Sequence, residues 1–415
     1  MSSCTSNKSI CIRPWTHLNF LPNGNVRPCC IMDEEKTIVG NLKTQSLEEI
    51  WNSPAMMQLR KDMLEDKKPA WCERCYRIEE NTGSSTRTAD NNVFKKELEF
   101  VEYHTKEDGY NEQFDLIYWD FRFSNKCNLR CRSCGPNFSS AWVPDAKKLW
   151  AHDMTITERE KLTNLENVEG KTKLDFIKEH VSKVKQIYFA GGEPLIMDEH
   201  YEVLEMLLEA GNTNCNINYN TNLNTLTYKN WNVIDFWNKW PKKNLQIWPS
   251  IDEIGERAEF VRKGSDWFKI EMNLKKLVKE GYHIRPNVTT GALNVYRLPE
   301  IIAYFFKNDV LDKKQAYLNF NINVIDSPES LHITALPDEF KLKTKIKIEN
   351  FLTEFKEKTD FDLTPRFNYV LKLLDEPHNP EYKDKFFEFN IKLDGIRNEN
   401  IFEVIPELKC MLDQP

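Results

Sequence analysis

An α/β fold is what this sequence predicts, on three observations. Six strand-like segments alternate with amphipathic helices between residues 114 and 330, the order that parallel βαβ units require. A cysteine-rich segment precedes them, and a charged segment with helical patterning follows. The length of 415 residues fits about two to three domains. We therefore expect a small cysteine-rich module at 1–85, a linker at 86–113, a six-stranded full or partial barrel at 114–330 and a helical extension at 331–415. In barrels of this kind, ligand chemistry gathers in the loops after the C-terminal ends of the strands.

Each element has its own signal. In the first module, Thr16 to Phe20 and Ile38 to Leu42 read as short strands, and Pro22-Asn23-Gly24 as a turn. Ser46 to Met63 reads as one amphipathic helix. Leu47, Ile50, Trp51, Met56, Leu59 and Met63 recur at near-helical spacing, and Ser46 with Glu49 makes a capping box. Asn81 to Asn92 is polar, contains Gly83 and has almost no apolar residue, the pattern of a linker. The barrel strands are expected at Leu116–Phe123, Gln186–Ala190, Asn216–Tyr219, Leu245–Ile251, Ile284–Thr289 and Tyr317–Val324. Leu174–Val184, Glu199–Glu209 and Phe268–Glu280 supply helices between them. Pro337-Asp338 opens a long charged helix, with further helices over Asn368–Asp375 and Tyr382–Leu393.

Composition narrows the function. With 40% hydrophobic, 12% aromatic and 29% charged residues, the chain has material for a large core and is not disordered. A net charge of −7 argues against a surface that wraps nucleic acid. No stretch approaches the roughly 20 apolar residues of a membrane helix. The N-terminus lacks a signal-peptide pattern, so a cytoplasmic location without a membrane partner is expected. Eleven cysteines suit neither a disulfide scaffold nor ordinary core packing. Nine of them fall between Cys4 and Cys134, most in close pairs or a triplet, and in a reducing compartment that pattern points to metal. Cys4, Cys215 and Cys410 lack partners in sequence, and Cys215 is expected in the core. Neither H-E-x-x-H nor G-x-x-x-x-G-K-[ST] occurs, which disfavours a zinc hydrolase and a nucleoside triphosphate loop.

The strongest signal is Cys127-Asn-Leu-Arg-Cys131-Arg-Ser-Cys134, directly after the first barrel strand. Three thiolates within eight residues can hold three corners of a [4Fe–4S] cluster and leave the fourth iron open. A structural zinc site wants four ligands, and a ferredoxin cluster four cysteines. A zinc knuckle completed by a distant residue is the alternative. The triplet resembles the signature of the radical S-adenosylmethionine (SAM) superfamily. Gly191-Gly192-Glu193-Pro194, after the second strand, is similar to that family's GGEP motif. Asn220-Thr221-Asn222 follows the third strand, and Ser250-Ile251-Asp252 the fourth, with Arg262 beyond. The resemblance implies a partial (β/α)6 TIM-like barrel and SAM as cofactor. The backbone of Gly191, Gly192 and Glu193 would receive the methionyl amine, and Asn222, Ser250, Asp252 and Arg262 would contact the ribose and carboxylate. Helix capping is the other reading of Asn222, Ser250 and Asp252. The family's aromatic residue before the third cysteine is Ser133 here, so adenine packing falls to another residue.

A second constellation comprises Cys11, Cys29-Cys30 and Cys72-Glu-Arg-Cys75, enough to close a metal site. The segment resembles a SPASM or twitch module in Cys11, the G-x4-C from Gly24 to Cys29, Ile38 to Leu42, Ile50-Trp51-Asn52-Ser53 and the C-x2-C. In better-known members the module follows the barrel; here it precedes it. The resemblance implies one auxiliary [4Fe–4S] cluster on Cys11, Cys29, Cys72 and Cys75, with Cys30 able to replace Cys29. A zinc site on the same four thiols is the alternative.

The chemistry implied is reductive cleavage of SAM to a 5′-deoxyadenosyl radical, which takes a hydrogen atom from a substrate. Lys126, Arg130 and Arg132 flank the triplet and are expected either to offset the cluster's charge or to be solvated loop charges. Four protein ligands leave the auxiliary cluster no open iron, which favours an electron-accepting role. A peptide or protein substrate is expected, with a small molecule as the alternative, and flavodoxin or ferredoxin as electron donor. A non-catalytic iron–sulfur or zinc scaffold is the reading from a different class.

Overall fold

A computed structural model describes residues 8–32, 37–150, 173–311 and 320–412. Cys4 lies outside them. The strands are β1 (His17–Phe20), β2 (Asn25–Arg27), β3 (Gly40–Asn41), β4 (Tyr118–Phe121), β5 (Gln186–Phe189), β6 (Asn216–Thr221), β7 (Leu245–Pro249), β8 (His283–Ile284), β9 (Asn287–Thr290) and β10 (Asn321–Val324). The main sheet runs β8-β7-β6-β5-β4-β1-β2-β3 and is parallel from β8 to β1. β9 and β10 form a separate parallel pair, joined to the loop after β7 by the Ser250–Asn287 bridge. The result is an α/β half-barrel, open among the described residues.

Alternation sets the two faces of this sheet. Trp119, Phe121, Ile187, Phe189, Ile217, Tyr219, Leu245 and Ile247 enter the main core. The helices Asp198–Glu209, Trp267–Lys279 and Leu298–Lys307 cover that core with their apolar stripes. The intervening residues, Tyr118, Asp120, Tyr188, Asn218, Asn220 and Trp248, line the inner face.

Four expectations are corrected. The Ser46–Met63 segment is two helices, Leu47–Trp51 and Pro54–Leu64, because Ser53 caps a new helix that Pro54 opens; the capping box at Ser46 and Glu49 is present. The fifth strand breaks at Arg285-Pro286, where proline offers no N–H to the ladder, so His283–Ile284 pair with β7 while Asn287–Thr290 pair with β10. Of the expected Tyr317–Val324 strand, residues 317–319 lie outside the described residues. The N-terminal module is not a separate bead. Its β1 extends the barrel sheet beside β4, with Phe20 and Phe121 stacked at 4.5 Å.

The fourth correction concerns the linker. Residues 73–104 are largely helical, through α1 (Glu73–Thr82), α2 (Thr86–Val93), Lys95–Leu98 and Val101–His104. The polar side chains of α2 serve buried backbone instead of solvent. Asn91 Oδ1 accepts from the Ile12 N–H at 2.8 Å, and Arg87 donates to the Ile10 carbonyl at 2.6 Å. The C-terminal extension consists of α3 (Asp338–Thr359), α4 (Thr364–Asp375) and α5 (Pro380–Arg397). α4 packs on both β10 and α1, bridging the last strand to the N-terminal module. Among the described residues, no helix is long and apolar enough to cross a membrane.

The core also holds a titratable group. His200 is fully buried, its Nε2 lies 3.0 Å from the Tyr219 hydroxyl, and burial pushes its pKa down to about 3. A depressed folded pKa means that stability is fully present above the unfolded value near 6.5 and is lost as pH falls towards 3. Unfolding free energies from urea titrations at pH 7, 6 and 5 should fall with a slope of up to about 1.4 kcal/mol per pH unit, and His200→Gln should flatten that fall. Parallel curves for the two proteins would assign the acid sensitivity elsewhere.

Candidate metal and cofactor sites

The cysteine triplet sits on a loop held from three sides. Arg130–Cys131 pairs antiparallel with Arg262–Lys263, Trp142 Nε1 donates to the Cys131 carbonyl at 2.7 Å, and Ser139 Oγ donates to the Leu129 carbonyl at 2.5 Å. The three thiols feel one another. Burial and the nearby Cys131 push Cys127 and Cys134 up to about 12, while Arg262 pulls all three down. Metal ligation must displace these protons. Among the described residues, no trio of Cys, His, Asp or Glu converges at single-ion distance. The donor set fits an iron–sulfur cluster by its chemistry: three soft sulfur ligands on one loop.

The other predicted residues gather beside that loop. Gly191 and Gly192 adopt φ of +82° and +57°, and Glu193 N–H donates to the Lys126 carbonyl at 2.8 Å. The Glu193 carboxylate accepts from Leu195 N–H, Thr221 Oγ1 and Asn222 N–H at 3.1, 2.7 and 2.6 Å, tying the turn to the end of β6. Asn222 Nδ2 donates to Asn128 Oδ1 within the cysteine loop at 2.8 Å. Asp252 is engaged by Arg262 Nη1 at 2.7 Å and Thr289 N–H at 2.8 Å, so it positions Arg262. Arg262 Nε is buried without a partner among the described residues, the atom best placed for a ligand carboxylate. The half-buried Ser250 donates its N–H to the Thr221 carbonyl at the same edge. A Cβ on Gly192 would lie 2.3 Å from the Lys126 carbonyl oxygen. Gly192→Ala, which also places a side chain at positive φ for about 1–2 kcal/mol, should therefore shift the turn and weaken SAM binding. Isothermal titration reads this, and unchanged affinity would separate the turn from the cofactor.

The cations expected around the cluster are placed otherwise. Arg132 is fully buried but turned to Asp394, Glu399 and Asn390 of the C-terminal extension, and Arg130 pairs with Asp145 at 2.7 Å. Lys126 Nζ donates to the Tyr228 hydroxyl at 2.6 Å. Arg262, from a different strand, is the cation that acts on all three thiols, and Arg397 acts on Cys131 as well.

Cys11, Cys29, Cys72 and Cys75 line one pocket, partly open to solvent, with Met63, Trp71 and Arg13 in its wall. Cys30 does not line it. Its thiol lies towards the barrel, within electrostatic reach of Arg122, Asp120 and Tyr188. Arg13 was missed in the sequence, where its place two residues after Cys11 was the available signal. Its buried guanidinium donates to Cys29 Sγ at 2.7 Å and pairs with Asp90 at 2.5 Å. Arg13 and its acid thus put a cation against the thiol pocket, a device that favours thiolates.

In strand β4, Trp119 and Phe121 enter the main core, Tyr118 the cluster of the N-terminal module, and Asp120 is the buried polar residue among them. Asp120 pairs with Arg122 Nε at 2.6 Å, and burial pushes its carboxyl up to about 7 against the pull of that arginine. The Arg122 side chain packs against Gly191 on one side, and its guanidinium lies over the Tyr188 ring at 5.1 Å. This polar inner face runs from the Gly-Gly turn to Cys30, between the two cysteine sites.

Residues 11–76 match the model of SPASM, an iron–sulfur cluster-binding domain. No curated protein matches the chain. Similar solved structures include anSMEcpe with bound AdoMet, at 16% identity and TM-score 0.38, covering 58% of this chain and 62% of that one. SuiB of Streptococcus suis bound to the precursor peptide SuiA matches at 14% and 0.38, covering 74% and 62%. TYW1 with a lysine-pyruvate adduct matches at 14% and 0.32, covering 74% and 83%. The chain thus spans 62% of the length of each of the first two. A SPASM iron–sulfur cluster-binding domain at residues 11–76 thus stands in front of the cysteine triplet and the Gly-Gly-Glu-Pro turn.

Proposed function

We infer that Cys127, Cys131 and Cys134 hold the SAM-cleaving cluster, and that Cys11, Cys29, Cys72 and Cys75 hold the auxiliary one. When bound, the reduced cluster and SAM supply a 5′-deoxyadenosyl radical that abstracts a hydrogen atom from the substrate. The chain's own residues orient the cofactor and shield the site. The Gly191-Gly192-Glu193 turn abuts the cysteine loop, Arg262 Nε offers a buried donor to a carboxylate, and Asn222 and Ser250 border the same edge. The observation that carries this reading is the meeting of the triplet, the Gly-Gly turn and Arg262 at one edge of the sheet. Arg13 and the closed set of four thiols support an electron-accepting auxiliary site and hence a net oxidation of the substrate. Flavodoxin or ferredoxin is the class of donor that such a centre requires.

For the substrate, a peptide or protein is the reading that the SPASM domain supports. A small polar molecule is the second reading, favoured by the hydrogen-bonded amide side chains of the inner face. The test is anaerobic reconstitution followed by dithionite and SAM, with 5′-deoxyadenosine as readout. Its formation is expected. A cluster-replete protein that makes none at several reductant strengths supports the scaffold reading instead.

A further inference from the structure

The arginines already described share one arrangement: Arg13 with Asp90, Arg122 with Asp120, Arg132 with Asp394 and Arg262 with Asp252. Arg285, on the inner face after β8, breaks the pattern. Among the described residues it has no carboxylate partner. Its Nη2 donates to Asn321 Oδ1 at 2.7 Å, its guanidinium lies 5.8 Å from the centre of the Trp248 ring, and its Nε is buried with no partner. The charged group that acts on it is another cation, Arg366 in the first turn of α4. Burial and that neighbour push Arg285 down to about 10, the signature of a guanidinium held against its preference.

The neighbours of Arg285 give this cation a direction. Asn321 Nδ2 donates to Asn287 Oδ1 at 2.6 Å, Asn287 Nδ2 to Asn220 Oδ1 at 2.7 Å, and Asn220 Nδ2 to the Tyr188 hydroxyl at 2.5 Å. Every donor in this chain points away from Arg285 and towards Tyr188, which lies beneath Arg122 and so near the Gly-Gly turn. Four strands therefore present one polarised wall, cationic at the Arg285 end. A guanidinium with an unpartnered Nε is suited to an oxyanion, and removal from water strengthens that pairing.

We propose that Arg285, with Arg366 beside it, is an anion subsite of the barrel interior that takes a carboxylate or phosphate group carried by the substrate. The subsite holds the charged end of the substrate at β8–β10 and directs the remainder along the amide wall towards Tyr188 and Asp120. It also assigns a role to the C-terminal extension, since α4 brings Arg366 to the barrel wall. This assignment rests on the function proposed above only in calling the ligand a substrate.

The test is thermal unfolding of the reconstituted full chain in glutarate or inorganic phosphate against chloride at equal ionic strength, for wild type and Arg285→Met. Wild type should gain several degrees in a saturable way. Arg285→Met should start no lower in chloride, because an uncompensated buried cation has been removed, and should lose the response. A variant of lower Tm with an undiminished response overturns the subsite and makes Arg285 structural. Glutarate and phosphate compared at equal concentration tell which oxyanion is preferred. Repeating the titration in saturating SAM separates the sources: competition by SAM would give the subsite to the cofactor's own carboxylate and overturn the substrate assignment. 5′-Deoxyadenosine formation by the wild type is scored independently. A chain that responds to oxyanions but makes none keeps the subsite and loses the proposed reaction, and the reverse result loses the subsite alone.

Discussion

Replacing Cys127, Cys131 and Cys134 together with alanine is expected to abolish 5′-deoxyadenosine formation and to halve the iron of the reconstituted protein. The count should fall from about eight to about four per chain, since each cubane holds four. The loss of activity should be complete, because no other described cysteine lies beside the Gly191-Gly192 turn and Arg262 to supply a replacement ligand. The retained iron follows from the separation of the two sites: Cys11, Cys29, Cys72 and Cys75 line their own pocket, walled by Met63, Trp71 and Arg13. Iron and sulfide analysis with electron paramagnetic resonance checks both halves. Zinc in place of the remaining iron would make the N-terminal site a closed zinc centre, and complete loss of metal would show that the two sites assemble together.

Asp394→Ala is expected to destabilise the protein by about 1–3 kcal/mol, the cost of leaving buried donors unsatisfied while Glu399 still balances Arg132, and to loosen cluster retention. Asp394 Oδ1 receives the fully buried Arg132, and its Oδ2 caps the Ile401 N–H at 2.7 Å. Arg132 lies between the second and third cysteines of the triplet and also reaches Glu399 at 2.8 Å. One turn along α5, Arg397 pairs with Asp145 at 2.8 Å and donates to the Arg130 carbonyl at 2.7 Å. The end of α5 is therefore a clamp on the loop that carries the triplet. Urea unfolding measures the first effect, and iron release to a chelator under native conditions measures the second. Asp394→Asn, which keeps one of the two acceptor oxygens but not the charge, should fall between the variant and wild type. Wild-type iron release in a destabilised Asp394→Ala protein would confine the clamp to global stability.

Legibility in the sequence was uneven for physical reasons. Periodicity, caps and breakers act over a few residues, so the strands after residue 114 and the helices opening at Asp338 and Pro380 could be located from pattern alone. Where a local signal was overlooked the expectation failed, as at Ser53-Pro54 and Arg285-Pro286. Segment 81–104 misled for another reason. Its polar side chains resemble those of a linker until Ile10 and Ile12 appear as the backbone groups they satisfy.

The site divides in the same way. Thiols at fixed spacing and a Gly-Gly turn between strand and helix are local requirements of the chemistry, and by themselves they set the expectation of iron–sulfur and SAM sites. Which charges face those sites is a question of contacts between distant segments, and only the tertiary structure decided it. Arg132, between two cysteines of the triplet in sequence, is drawn off by a carboxylate 262 residues away. Arg262 takes its place because its strand pairs with Cys131. The cation Arg285 and the amide wall exist only because four strands place every second side chain on one inner face. A charge acts through space, and the sequence orders residues along a line.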